Sequence, residues 1–178
     1  MRTLRTAVPV LALAAMAAAG CFLISGQFVV NHALPTPLRV VSGATLTGTD
    51  VDLNTSSTYN DHKDKLKRVE DLALTGEFRN NTGTAANVDV WLVKSAALNL
   101  SLAQVQAQGT RLWGPLAVAG NATESVDWDR SAKLFAGRQA LIDEIHGDGH
   151  FSLYVIAGGA FDLTITDGMV IAVVGAAN

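Results

Sequence analysis

Apolar and polar positions alternate along much of this chain, most plainly towards its end. In Phe161-Asp-Leu-Thr-Ile-Thr, positions 161, 163 and 165 are apolar and 162, 164 and 166 polar, the period-two pattern of a strand with one buried face. Asp167-Gly168 follows, and then the apolar run Met169-Val-Ile-Ala-Val-Val. Asp-Gly between two such runs is a strong hairpin signal, because a type I′ turn needs positive φ at both central residues. His150–Ala157 is another apolar run, closed by Gly158-Gly159, so residues 150–175 are expected to form a three-stranded meander.

The middle of the chain predicts a second hairpin. Residues 69–79 alternate, with Leu72, Leu74 and Phe78 on one face. Asn80-Asn81-Thr82-Gly83 supplies turn chemistry, and residues 88–94 make the return strand. Shorter strands are expected at Gln27–Ala33 and at residues 39–46, 51–53, 116–119 and 125–128. Pro35 and Pro37 separate the first two, since proline cannot donate to a strand ladder. The helical pattern is clearest over residues 131–146, where Leu134, Phe135, Leu141, Ile142 and Ile145 form an apolar stripe. Gly147 stands where a helix commonly ends in the left-handed conformation. Residues 60–68 read as a short charged helix, with Asp61–Lys65 and Asp64–Arg68 spaced for i,i+4 pairing. Leu102–Gln108 is a third candidate. The expected fold is mainly β: an antiparallel two-sheet sandwich with one longer helix and one or two short ones. A small open barrel is the alternative.

The N-terminus departs from this pattern. Arg2 and Arg5 precede an apolar run, and Ala18-Ala19-Gly20 leads to Cys21, the only cysteine. A basic start, an apolar middle and small residues make a secretory signal. Ala18-Ala19-Gly20-Cys21 resembles the bacterial lipobox, with Ala18 standing where leucine is preferred. By that resemblance residues 1–20 are removed, and Cys21 becomes a lipidated N-terminus that holds residues 21–178 at a membrane. Two or more acyl chains make such a tether stable. Two other readings compete: cleavage near Ala19 to give a soluble secreted protein, and retention as an uncleaved anchor. Residues 7–24 are 18 positions without a charge, at the lower edge of a bilayer span. Aspartate does not follow Cys21, so the resemblance implies the outer membrane where a cell has two.

Composition narrows the function classes. The 178 residues carry 13 Lys and Arg against 16 Asp and Glu, net −3. Without Arg2 and Arg5 the balance is 11 against 16, or −5. A mildly acidic domain with no basic cluster is expected to be a poor nucleic-acid binder. A single cysteine allows no internal disulfide, and residues 21–178 are one domain's worth of chain.

No nucleophile elbow, phosphate loop or H-E-x-x-H motif is present, so no catalytic residue and no cofactor is assigned. The tightest polar grouping is His146-Gly147-Asp148-Gly149-His150. It offers two imidazoles and a carboxylate to a metal ion, or else a helix end followed by a turn, with His146 favoured at the helix C-terminus. Asp50, Asp52 and Asn54 alternate on one expected strand face but lack the EF-hand pattern. Asp127-Trp128-Asp129 reads as a sugar platform or as a helix cap beside a core indole. Trp91 and Trp113 are expected in the core. Sequons at Asn54, Asn81, Asn99 and Asn121 read as turn chemistry.

Beyond Cys21 the chain resembles a loose set of uncharacterised bacterial envelope lipoproteins. The resemblance rests on Cys21-Phe-Leu-Ile-Ser-Gly-Gln-Phe-Val-Val, Val51-Asp-Leu-Asn-Thr and Tyr59-Asn-Asp-His-Lys-Asp-Lys-Leu-Lys. It implies location and fold, and no activity. Tyr59, Lys63, Lys65 and Lys67 read either as a solvated face or as a docking surface for a protein or glycan partner. The function expected is a non-enzymatic structural or binding module. A small-ligand or metal-ion binder and an envelope hydrolase are the alternatives.

Overall fold

A computed structural model describes residues 26–94 and 96–176. Cys21 and the signal sequence expected before it lie outside the described residues. The strands are β1 (Gln27–Ala33), β2 (Leu38–Val41), β3 (Leu46–Asp52), β4 (Leu66–Asn80), β5 (Ala86–Val93), β6 (Asn99–Leu100), β7 (Thr110–Val118), β8 (Thr123–Val126), β9 (His150–Ala157) and β10 (Asp162–Ala176). The helices are α1 (Ser57–His62), α2 (Leu102–Gln108), α3 (Trp128–Leu134) and α4 (Arg138–His146). Two antiparallel sheets result. One has the order β1-β10-β4-β8, with β2 also on β10; the other runs β6-β3-β9-β5-β7. The mainly β, two-sheet sandwich is therefore the architecture observed.

Alternation fixes which faces meet. Leu163 and Ile165 of β10, and Leu72, Leu74 and Phe78 of β4, are buried and face Val88, Val90, Leu153 and Val155 of the other sheet. Across the layers Phe78 and Trp113 stack with ring centroids 5.5 Å apart, a geometry worth about 0.5–1.5 kcal/mol beyond the area it buries. Helices α3 and α4 lie along the open side between β4 and β7. There the buried Ser131 hydroxyl accepts from Leu74 N (2.7 Å) and Trp113 Nε1 (3.2 Å). It thereby satisfies one donor from each sheet.

Both expected hairpins are overturned. Asp167 does take a positive φ of 52°, but Gly168 is not at positive φ, so the type I′ condition fails. The chain runs on through 15 residues of β10, and Asp167-Gly168 become a bulge where the register against β4 shifts. Gly76 of β4 faces it at φ +145°, and a Cβ there would sit 3.1 Å from Gly168 Cα. On the other edge of β10 the chain passes from β1 to β2 by a corner at the bulge. Leu34 N donates to Gly168 O at 2.8 Å, and β1 and β2 form one broken edge along β10. β9 belongs to the opposite sheet, between β3 and β5, so no 150–175 meander forms. Likewise β4 and β5 do not pair with each other, and residues 81–85 carry the chain between layers. Buried Asn80 organises that crossing. Its amide donates to Thr84 O (2.7 Å), and its Oδ1 accepts from Thr82 N (3.0 Å).

The helices and one strand need correction as well. Residues 131–146 form two helices, α3 and α4, because residues 135–137 leave the helical path. Phe135 bridges to Trp113 of β7, and Ala136 N and Gly137 N both donate to Leu112 O. Gly147 caps α4 at φ −85°, and the left-handed residue is Gly149, at φ +71°. The 60–68 helix ends at His62, gives one 3₁₀ turn and enters β4 at Leu66. Arg68 then pairs with Glu70, so neither expected i,i+4 pair forms. Residues 39–46 split into β2 and the start of β3, which lie in different sheets. Helix α2 is as expected, with a capping box between Ser101 and Gln104.

Candidate functional site

Two polar groups far apart in sequence meet at one corner of the sandwich. The pairing of β3 with β9 sets Asp52 opposite His150, and Asp50 opposite Ser152. His150 Nε2 lies 2.8 Å from Asp50 Oδ1, with the two side chains 38% and 44% exposed. Asp148 Oδ1 accepts from His150 N at 3.0 Å, which closes the turn before β9. Asn54 is the hub. Its amide donates to Asp52 Oδ1 (2.9 Å) and Asp148 O (2.8 Å), and its Oδ1 accepts from Lys63 Nζ (3.2 Å). The Asn54 side-chain bond is the main reason the Asp52 carboxyl titrates below its ordinary value.

Tyr59 lies beneath this corner. It is fully buried, and its hydroxyl donates to Ile145 O at 2.9 Å, which ties α1 to the end of α4. Gly149 makes room: a Cβ at that position would meet Tyr59 Oη at 2.6 Å. Burial, followed by the nearby Asp148 and Asp52, raises the Tyr59 pKa. Tyr59 is therefore a core residue and forms no part of a docking surface. Lys63, Lys65 and Lys67 are exposed.

The expected trio of His146, Asp148 and His150 does not converge. His146 is exposed at the last position of α4, while His150 turns to Asp50 on the neighbouring strand. Among the described residues no group of three or more His, Cys, Asp or Glu side chains is placed to hold a metal ion. Asp52 and Asn54 are spent on each other. The His150–Asp50 contact joins β9 to β3 side by side. The corner's remaining bonds clamp β3, β9 and the residues before β4 together.

A groove on the outer face of the second sheet escapes sequence reading. It encloses about 500 Å³ between α2, the β2–β3 connection and the β9–β10 connection. Leu46, Leu102, Ile156 and Phe161 give it apolar walls; Ser42, Asp89 and Gln106 are its polar members. Asp89 Oδ1 is 2.9 Å from Arg111 Nη2, an ion pair without hydrogen-bond alignment, and Arg111 Nε has no partner among the described residues. The lining comes from separated segments of ordinary residue types, which leaves no motif to read.

The tryptophans divide. Trp113 is core, Trp91 is half-buried, and Trp128 begins α3 with its Nε1 donating to Asp71 Oδ2 at 3.0 Å. Asp127 caps α3 by accepting from Arg130 N. No protein-family model, curated protein or solved structure matches this chain.

Proposed function

We propose that this chain is a cell-envelope lipoprotein, tethered through Cys21, whose β-sandwich acts as a non-enzymatic structural or binding module. The observation that carries the reading is Ala18-Ala19-Gly20-Cys21 at the end of a basic-then-apolar leader, in a chain with no other cysteine. The position of β1 supports it. That strand begins at Gln27, six residues after Cys21, so little spacer separates the folded body from the lipid. Where a cell has two membranes, the absence of aspartate after Cys21 supports an outer-membrane address. For a binding role, the groove beside α2 is the place where a small amphiphile fits.

Palmitate labelling with membrane fractionation, on wild type and Cys21→Ser, tests the tether. The expected result is label and membrane association in wild type, both lost in the variant. An unlabelled wild type in the soluble fraction would replace the tether with ordinary secretion. An unlabelled full-length chain kept in the membrane would replace it with an anchor at residues 7–24.

A further inference from the structure

We infer that the exposed basic segment at the junction of α1 and β4, carrying Lys63, Lys65 and Lys67, is a contact surface for anionic lipid headgroups that orients the tethered sandwich. The inference rests on the membrane tether proposed above. Strand register supplies the geometry. Gln27 of β1 pairs with Gly175 of β10, and Gly175 pairs with Arg68 of β4, so these three residues form a row across the sheet. Two strand spacings separate the backbones of Gln27 and Arg68 by about 10 Å. On the inner side the Phe28 and His62 rings lie 4.5 Å apart, and Lys63 follows His62 directly. The basic segment therefore flanks the point where the chain enters β1. Cys21 precedes Gly26 by five residues, which reach at most about 17 Å. A lipid on Cys21 thus holds these lysines close to the headgroups, and electrostatic attraction acts over a Debye length of about 8–10 Å.

Charge distribution supplies the complementarity. Residues 61–70 hold four cations against Asp61, Asp64 and Glu70, a local +1. The rest of residues 21–178 holds seven cations against thirteen carboxylates, or −6. Most of those seven are spent, since Arg39, Lys94, Arg111, Arg130 and Arg138 all sit in ion pairs. Glu70 occupies Arg68. Among the described residues Lys65 and Lys67 have no ionic partner, and Lys63 has only the neutral Asn54 amide. An anionic bilayer repels the −6 body and attracts this edge, so a tethered domain turns its basic segment inward. Each lysine at such a surface is worth about fivefold in partition.

Amine labelling of the full mature chain reconstituted in vesicles tests this, with modification at each lysine followed by mass spectrometry. In phosphatidylglycerol-containing vesicles, labelling of Lys63, Lys65 and Lys67 should slow about fivefold relative to pure phosphatidylcholine vesicles. Lys133 should not change, and high salt should abolish the difference. Sedimentation with both vesicle types but equal labelling would overturn the inference and leave the tether standing. Equal slowing in both types would overturn it in favour of contacts between protein molecules. A chain that sediments with neither vesicle type would overturn tether and surface together. One that sediments with anionic vesicles alone would keep the surface and discard the tether.

Discussion

At the scale of single residues, the groups that matter most for stability are polar ones inside the sandwich. Ser131 is fully buried and receives hydrogen bonds from Leu74 N and Trp113 Nε1. Ser131→Ala strands both donors, and each unsatisfied buried group costs about 1–3 kcal/mol. Urea unfolding should show a loss of about 2–4 kcal/mol; a loss within error would mean that water replaces the hydroxyl. A second prediction concerns pH. The Asp162 carboxyl is held at about 2, below the ordinary 3.8, first by the Arg39 guanidinium and then by the Asn81 amide. Because its folded value lies below its unfolded one, its contribution is complete above 3.8 and is lost as pH falls through about 2. In Arg39→Gln, NMR titration of this carboxyl should move its midpoint up towards 3.8. An unchanged midpoint would refute the pair in solution. Neither role is visible in sequence. Ser131 stands where the apolar stripe suggests the start of one long helix, and Tyr59 looks like a surface aromatic because charges flank it.

At the scale of elements, existence was legible and connection was not. The alternation of Leu72, Leu74 and Phe78, and of Phe161, Leu163 and Ile165, marks buried faces that the structure has. Alternation says which side of a strand is apolar, but it is silent on which sheet supplies the opposing side. Asn-Asn-Thr-Gly and Asp-Gly therefore both look like hairpin turns. One is a crossing between layers and the other a bulge that uses the same tolerance of positive φ. The bulge makes a prediction of its own. Gly76→Ala places a side chain at φ +145° against Gly168 and Thr166, and should destabilise by about 1–3 kcal/mol in chemical denaturation. Gly158 has open space and no positive φ, so Gly158→Ala should stay within about 0.5 kcal/mol. Equal effects at both positions would show that the bulge tolerates a side chain. The split between α3 and α4 is hidden for a related reason: Phe135 continues the apolar stripe, yet it bridges to a strand.

At the scale of the whole molecule, the sandwich class follows from many short alternating runs, while its wiring depends on long-range pairing. The polar corner shows the same limit. Asp50 and His150 are a hundred positions apart in sequence and 2.8 Å apart in space. Each stands out within its own local group, and local spacing has no means of joining them. The basic segment is similar, since its closeness to the start of β1 is a matter of register across three strands.

That register has a consequence for how the protein is made. β10 is the strand on which β1, β2 and β4 all assemble, and it is the last of the ten to be synthesised. Until it emerges, the first sheet has only the β4–β8 pairing, and β1 and β2 have no strand to pair with. A chain bound for export must pass through a narrow channel before it folds. Placing the shared partner at the end leaves the first sheet unclosed until translation is complete, which would keep its strands threadable under the export proposed above.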